Sequence, residues 1–188
     1  NVEKNKMFEN FDIEPYKKMY PPGDNTFDTM QEIKALTKIP LNKKFVEKYD
    51  DLTSAFLEVA RRNDLPEKEI KDVSNSLSMD SYPIIMELKE HFNRPRPKVM
   101  AKVMNIPLED HELKSMKTPS YPSGHSAQAY LVALTLSLMY PKYKKDFMQA
   151  ADNISDSRNV AHAHYKSDSD FGKKLGADLA LHVSKKQT

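Results

Sequence analysis

The sequence contains no cysteine and only four glycines among its 188 residues. Without cysteine, neither a disulfide framework nor a thiolate metal site can form, so any catalysis must use other side chains. A strong charge of one sign is also absent, because 29 Lys and Arg face 27 Asp and Glu, for a formal net charge of +2. No block of five or six like charges occurs, so nucleic acid is not expected as a principal partner.

A hydrophobic run long enough to cross a membrane is also missing. The most apolar stretch, Ala129 to Tyr140, has 12 residues, whereas a spanning helix needs about 20. It predicts a buried core helix. The chain opens at Asn1 without the basic and apolar segments of a secretory signal. We expect a soluble protein, periplasmic or secreted if a signal peptide has been removed and cytoplasmic otherwise.

Apolar residues recur at intervals of three, four and seven, as at Phe45, Leu52, Phe56 and Val59, and this period is typical of helices. Together with the prolines, the pattern predicts helices at 27–38, 42–63, 66–91, 98–105, 124–140, 142–163 and 168–185. The length suits one domain. We therefore expect a compact all-α helical bundle at 27–188, preceded by an irregular, proline-containing arm at 1–26.

The first polar segment runs from Lys89 to Pro97 and holds two cations seven residues apart, Lys89 and Arg96. Seven residues make two helical turns, so both side chains would project from nearly the same face if one helix continued through both. A planar guanidinium and a compact ammonium together suit one phosphate group. The segment predicts an anion clamp or, alternatively, only a solvated basic helix end.

The second segment, Pro122-Ser123-Gly124-His125, directly precedes the apolar run. Ser123 is a typical N-cap, and the unpaired N–H groups of a helix N-terminus bind anions. Gly124 permits close approach of the backbone to a ligand, and His125 is placed to exchange a proton with that ligand. The alternative is an ordinary capped helix with an incidental histidine.

The third segment contains Arg158, His164 and Asp168. His164 and Asp168 are four residues apart, so the carboxylate can accept a hydrogen bond from one ring nitrogen and leave the other nucleophilic. Arg158 would lie about 120° away from His164 around a continuous helix, so both can face one ligand only if the helix breaks. We therefore predict a break near 161–163. A surface His–Asp pair at a polar helix junction is the alternative.

A metal site is the competing interpretation, because five side chains could supply nitrogen or oxygen ligands: His125, His162, His164, Asp168 and Asp170. However, the sequence has no His-x3-His or HExxH pair. Three cations converging on one site would repel a metal ion and attract an oxyanion. We therefore expect neither a metal nor a cofactor.

In order, the segments read K-x6-R-P, P-S-G-H and S-R-x5-H-x3-D, between Lys89 and Asp168. This pattern resembles the tripartite signature of the phosphatidate phosphatase type 2/vanadium haloperoxidase superfamily, with every signature position matched. The sequences at 121–126 and 164–172 more specifically resemble the bacterial class A non-specific acid phosphatases, which are longer than this chain. The resemblance implies an all-α bundle of the acid phosphatase/vanadium haloperoxidase type.

The resemblance also implies a role for each signature residue. Phosphate oxygens would be bound by Lys89, Arg96, Ser123, the Gly124 N–H group and Arg158. His164 would attack phosphorus, Asp168 would orient it, and His125 would protonate the leaving oxygen. These roles describe a metal-independent phosphomonoester hydrolase with a phosphohistidine intermediate and a small-molecule phosphate ester as substrate.

The signature leaves other functions open. A vanadate-dependent haloperoxidase would hold vanadate in the same residues with His164 as its ligand, and a phosphate- or nucleotide-binding module would keep the residues without turnover. A membrane lipid phosphatase carries these motifs on spanning helices, which are not expected here. Assembly into a homo-oligomer also stays open.

Overall fold

The computed structural model describes residues 7–186, and its secondary structure there is helical. The α-helices are α1 (Phe27–Thr37), α2 (Lys43–Lys48), α3 (Leu52–Arg62), α4 (Glu67–Phe92), α5 (Pro97–Val103), α6 (Gly124–Met139), α7 (Lys144–Val160) and α8 (Lys166–Lys186). Short 3-10 helices lie at Glu14–Lys18, Lys114–Lys117 and Pro141–Tyr143. The all-α prediction is confirmed.

Helix α6 forms the centre of the bundle and contacts α3, α4, α7 and α8. Its sequence is apolar on every side, which is the pattern of a helix surrounded by protein. Leu131, Val132 and Leu136 are fully buried, so the predicted core helix is confirmed. Between residues 7 and 186, no helix combines the length and apolar character that a membrane span requires.

Helix α8 lies unusually close to the N-terminal half of α6 because two glycines face that helix. A Cβ atom at Gly172 would lie 2.6 Å from the carbonyl oxygen of Ser123, and one at Gly176 would lie 2.3 Å from that of Ala127. Both distances are shorter than real Cβ contacts. The absence of side chains at these positions therefore brings the start of α6 directly against the start of α8.

The predicted N-terminal arm lies on the helical body at residues 7–26, while residues 1–6 fall outside the described part of the chain. Phe8 and Tyr16 are buried in the main core. The Tyr16 hydroxyl donates to the carboxylate of Asp178 on α8. Met19 accepts a 2.7 Å hydrogen bond at its carbonyl from the Tyr121 hydroxyl, so the arm also supports the segment before α6.

The prediction of one helix at 42–63 is wrong, because α2 ends at Lys48 and α3 begins at Leu52. Asp51 occupies the N-cap position of α3 with extended backbone angles, and its carboxylate accepts a hydrogen bond from the Ser54 hydroxyl. An aspartate at this position favours a new helix start over continuation of the first. The break places Asp50 in a loop that faces the candidate site.

The structure also corrects the helical link assumed between Lys89 and Arg96. Helix α4 ends at Phe92, and Asn93 adopts the left-handed conformation with φ of 47°, which asparagine tolerates better than most residues. Arg96 instead precedes α5 as its N-cap residue.

The predicted break near 161–163 is confirmed, because α7 ends at Val160 and α8 begins only at Lys166.

Candidate active site

Lys89 and Arg96 are buried beneath the loop that precedes α6. Lys89 Nζ donates to the carbonyl oxygen of Pro119 over 2.7 Å and to Thr118 Oγ1 over 3.2 Å. Arg96 donates to the carbonyl oxygen of Thr118 over 2.8 Å and to that of Ser115 over 2.7 Å. The two cations therefore meet under one loop, although α4 ends between them.

Arg158, the third cation, lies at the C-terminal end of α7 and is 1% exposed. Its Nη1 atom donates to the Asp50 carboxylate over 3.1 Å, whereas its buried Nη2 atom has no hydrogen-bond partner among residues 7–186. His125, on the first turn of α6, donates from Nε2 to the Asp50 carbonyl oxygen over 2.9 Å. Nη2 of Arg158 therefore offers a donor to an anion in this pocket.

Ser123 caps α6 by accepting a 3.2 Å hydrogen bond from the Ser126 N–H group. Its own N–H group donates to the carbonyl oxygen of Asp168 over 3.0 Å, which ties the start of α6 to α8. Gly124 is the first residue of α6, and its N–H group belongs to the positive end of the helix dipole. This end of α6 therefore adds partial positive charge to the site of the three cations.

The protonation of His164 follows from its two neighbours. Nδ1 lies 3.1 Å from Asp168 Oδ2, and Nε2 lies 2.9 Å from Arg96 Nη1. A guanidinium group can only donate, so Nε2 must be the accepting nitrogen and Nδ1 must carry the proton. The neutral ring therefore donates to Asp168 and presents its lone pair at Nε2.

Burial and the surrounding positive charges keep His164 neutral. Burial lowers its pKa well below 6.5, and the positive charges of Arg96, Lys89 and Arg158 lower it further, followed by His125. Burial, followed by the Arg96 charge, also lowers the pKa of Lys89 to about 7. These mutual effects show that the predicted residues of three separate segments share one electrostatic environment.

Two other groups of the site have strongly shifted pKa values. Burial raises the pKa of Asp168 to about 6, although the charge of Arg94 opposes this effect. Burial, followed by the charge of Arg158, lowers the pKa of His125 to about 4. Such displaced values are frequent in active sites.

The competing metal interpretation meets an obstacle at His162. Its Nδ1 lies 2.5 Å from the carbonyl oxygen of Glu109 and its Nε2 lies 2.7 Å from that of Ile39. Both ring nitrogens are therefore occupied by backbone acceptors. Within residues 7–186, no group of three or more His, Asp or Glu side chains has the arrangement needed to hold a metal ion.

A model of the PAP2 superfamily matches residues 75–187, which is more than half of the chain and includes all eight predicted site residues. The chain belongs to the PAP2 superfamily.

Relatives of this PAP2 protein include bacterial acid phosphatases. The non-specific acid phosphatase of Salmonella typhimurium is 34% identical over 105 residues, which are 56% of this chain and 42% of that protein. The acid phosphatase of Zymomonas mobilis is 27% identical over 164 residues, which are 85% of this chain and 62% of that protein. The chain therefore spans between two-fifths and two-thirds of these relatives.

A solved structure shares the fold. The crystal structure of a bacterial vanadium-dependent iodoperoxidase superposes with a TM-score of 0.66 at 17% identity, over 89% of this chain and 50% of that one. This likeness supports the predicted bundle of the acid phosphatase/vanadium haloperoxidase type.

Several residues at this PAP2 site were not predicted from the sequence. Arg94 and Ser120 contact the Asp168 carboxylate, Thr118 accepts from both Lys89 and Arg96, and Asp50 contacts Arg158. The sequence offered an indication for Arg94, because this residue lies inside the first polar segment. Asp50 lies outside the PAP2 match. Apart from its place in the Asp50-Asp51 pair at a helix boundary, nothing in the sequence indicated that it belongs to the site.

Proposed function

We propose that the chain hydrolyses small-molecule phosphomonoesters through a phosphohistidine at His164, without a metal ion. The observation that supports this most directly is the unprotonated Nε2 atom of His164. It faces a site that contains three buried cations and the N-terminus of α6. A phosphoryl-transfer transition state carries its charge on peripheral oxygens and is stabilised by such donors.

In the first step, the Nε2 lone pair of His164 attacks phosphorus while the bond to the ester oxygen breaks. Arg96 then donates to a phosphate oxygen instead of to Nε2, and the free Nη2 donor of Arg158 binds a second oxygen. His125 gives a proton to the departing oxygen, which leaves as an alcohol. Asp168 stabilises the positive charge that develops on the His164 ring.

In the second step, a water molecule gives a proton to His125 and attacks phosphorus. The bond between Nε2 and phosphorus breaks, inorganic phosphate leaves, and both histidines return to their starting protonation. Lys89, Ser123 and the Gly124 N–H group hold phosphate oxygens throughout. We expect small phosphate esters as substrates, and all of these donors bind the phosphate group and not the alcohol.

Phosphate release after chelation, with and without vanadate, tests the proposal. We expect activity to survive exhaustive EDTA treatment and to be blocked by micromolar vanadate, because residues that stabilise five-coordinate phosphorus also bind this oxyanion. Loss of activity on chelation, restored by zinc or magnesium, would contradict the metal-free mechanism. His164→Ala should abolish turnover, and quenching of the parent protein in an alkaline denaturant, in which phosphohistidine is stable, should trap phosphate on His164.

Two other results would indicate a different function for the site. Oxidation of iodide or bromide by protein given vanadate and peroxide, without any release of phosphate from esters, would indicate a haloperoxidase. Binding of phosphate or nucleotides without turnover would indicate a binding module. A panel of nucleotides, sugar phosphates, pyrophosphate and lysophosphatidate then defines the alcohol that the site accepts.

A further inference from the structure

Arg94 lies inside the first segment and is 1% exposed. Its Nη1 atom donates to Asp168 Oδ1 over 2.7 Å and to Ser167 Oγ over 2.8 Å. The guanidinium carbon lies 3.8 Å from the ring centroid of Tyr165. Arg94 is thus fixed by an ion pair, a hydrogen bond and a cation–π contact, next to the carboxylate that faces the catalytic histidine.

The Asp168 carboxylate divides its contacts between its two oxygens. Oδ2 accepts from His164 Nδ1 over 3.1 Å, from the Tyr165 N–H group over 3.0 Å and from the Ser120 hydroxyl. Oδ1 receives the ion pair from Arg94. Arg94 therefore supplies the full positive charge in direct contact with Asp168, on the side away from His164.

Glu32 on α1 holds Arg94 from the opposite side. Glu32 Oε2 accepts from Arg94 Nη2 over 3.2 Å and from Ser167 Oγ over 2.7 Å, while Oε1 accepts from the Ser167 N–H group over 2.8 Å. Ser167 lies on the first turn of α8, where a carboxylate is favoured by the helix dipole. Glu32 thus links α1, Arg94 and the helix that begins just after His164.

We propose that Arg94 is a positioning residue, which keeps Asp168 ionised and turned toward His164, and that Glu32 holds Arg94 in place for this task. The inference rests on the proposed function of His164 as the nucleophile. Arg94 acts through Asp168 and does not touch the phosphate. Substitution of Arg94 is therefore expected to change which nitrogen of the His164 ring carries the proton, and not only to lower the stability of the protein.

The charges around Asp168 explain why this cation is needed. Lys89, Arg96 and His164 also face the carboxylate, but Lys89 and Arg96 are engaged with the loop above the site. Burial already raises the pKa of Asp168 to about 6, and Arg94 is the largest opposing influence. Without Arg94, Asp168 would be a neutral acid at a higher pH than in the parent protein.

A neutral Asp168 would change the tautomer of His164. The protonated carboxyl group donates, so Nδ1 of the ring must accept, the ring proton moves to Nε2, and the contact between Nε2 and Arg96 is lost. The nucleophilic lone pair is then lost, as in catalytic triads whose carboxylate is replaced by an amide. Arg94 therefore affects both the protonation of Asp168 and the rate of attack by His164.

Two substitutions separate the charge of Arg94 from its hydrogen bond. Arg94→Gln keeps a donor but removes the charge, so the pKa of Asp168 should rise, and the upper limb of kcat/KM, which Asp168 sets near pH 6, should move up by about one pH unit or more. Arg94→Lys keeps the charge but loses the second N–H arm, so the limb should stay in place while kcat falls about tenfold. Arg61→Met, at an exposed arginine paired with Glu67, is the matched control and should change neither.

An unchanged upper limb in a folded Arg94→Gln variant would overturn the proposal. If Arg94→Gln does not fold, Arg94→Lys is the deciding variant. Either a shifted limb of kcat/KM or an unchanged kcat in Arg94→Lys would contradict the assigned role. Nitrogen-15 spectra of the His164 ring give a readout that does not need turnover. At a pH just above the parent Asp168 pKa of about 6, Arg94→Gln should move the proton from Nδ1 to Nε2 even if the protein hydrolyses no ester, which would separate failure of the proposed function from failure of this inference.

Discussion

Lys89 and Arg96 both donate to the same atom, Thr118 Oγ1, each over 3.2 Å. Two buried positive charges share one neutral acceptor, so the loop supplies hydrogen bonds but no compensating charge. Arg158 adds a third buried cation, whose carboxylate partner Asp50 is more than half exposed. We expect such a cluster to favour a bound phosphate and to lower the stability of the fold.

Lys89→Met should therefore stabilise the protein while it removes activity. We expect the free energy of unfolding to rise by roughly 1–4 kcal/mol, because a buried like-charge contact is replaced by an apolar side chain of similar length. Urea unfolding at neutral pH measures this change. Lys71→Met on the exposed face of the same helix is the control and should change stability by less than about 0.5 kcal/mol.

The pH dependence of that difference has a defined sign. Lys89 has a folded pKa of about 7, below its ordinary value of 10.5, so the unfolded chain binds more protons between these values and parent stability rises with pH there. The advantage of Lys89→Met should be full below about pH 7 and shrink toward pH 10.5. A parent protein more stable than the variant at pH 6 would contradict this account.

His125→Ala should slow hydrolysis most for esters with poor leaving groups. Proton donation to the leaving oxygen contributes about 10²–10⁴-fold for an alkyl alcohol and much less for a nitrophenol. Comparison of glycerol phosphate with p-nitrophenyl phosphate measures the difference, and His91→Ala, at an exposed histidine on α4, is the control. An equal loss of rate on both substrates would show that His125 is not the general acid.

The rate should peak on the acid side of neutrality. Catalysis needs Asp168 ionised and His125 protonated, and their pKa values are about 6 and about 4, so kcat/KM should be highest between these values. A bound phosphate dianion raises the pKa of both groups, so both limbs of kcat should lie at higher pH than those of kcat/KM. A rate that rises steadily to pH 9 would be inconsistent with this pairing.

Gly172→Ala should damage both the fold and the site. The new methyl group would lie 2.6 Å from the carbonyl oxygen of Ser123, which must shift, at a cost of about 1–3 kcal/mol and with a loss of kcat. Gly124→Ala is the stability control, because its Cβ would meet only side-chain atoms at 3.6 and 3.8 Å. Equal unfolding midpoints for both variants would show that α6 and α8 can separate without strain.

The elements that were predicted from the sequence depend on local signals. The apolar run of α6 and the prolines at helix starts predict helices through neighbouring residues alone. The break between Arg158 and His164 was predicted from their spacing, on the expectation that both face one ligand. The helix at 42–63 was predicted wrongly because its apolar period continues across the boundary. The boundary itself depends on one capping residue, Asp51.

The supporting residues of the site depend instead on contacts between distant segments. Arg94 meets Glu32 across 62 residues and Asp168 across 74, and no periodicity relates these positions. The signature indicates which side chains share a task, but their hydrogen bonds depend on how the helices pack. The roles of the signature residues stay predictions until the variants are measured.

Asp50 gives the site its own counter-ion. Its carboxylate pairs with Nη1 of Arg158, while Nη2 stays available to the phosphate, so one of the three positive charges is already balanced before the substrate binds. The phosphate then meets two cations without a paired carboxylate of this kind among residues 7–186, Lys89 and Arg96, and not three. Ionic strength should accordingly affect phosphate affinity less than three buried cations alone would suggest.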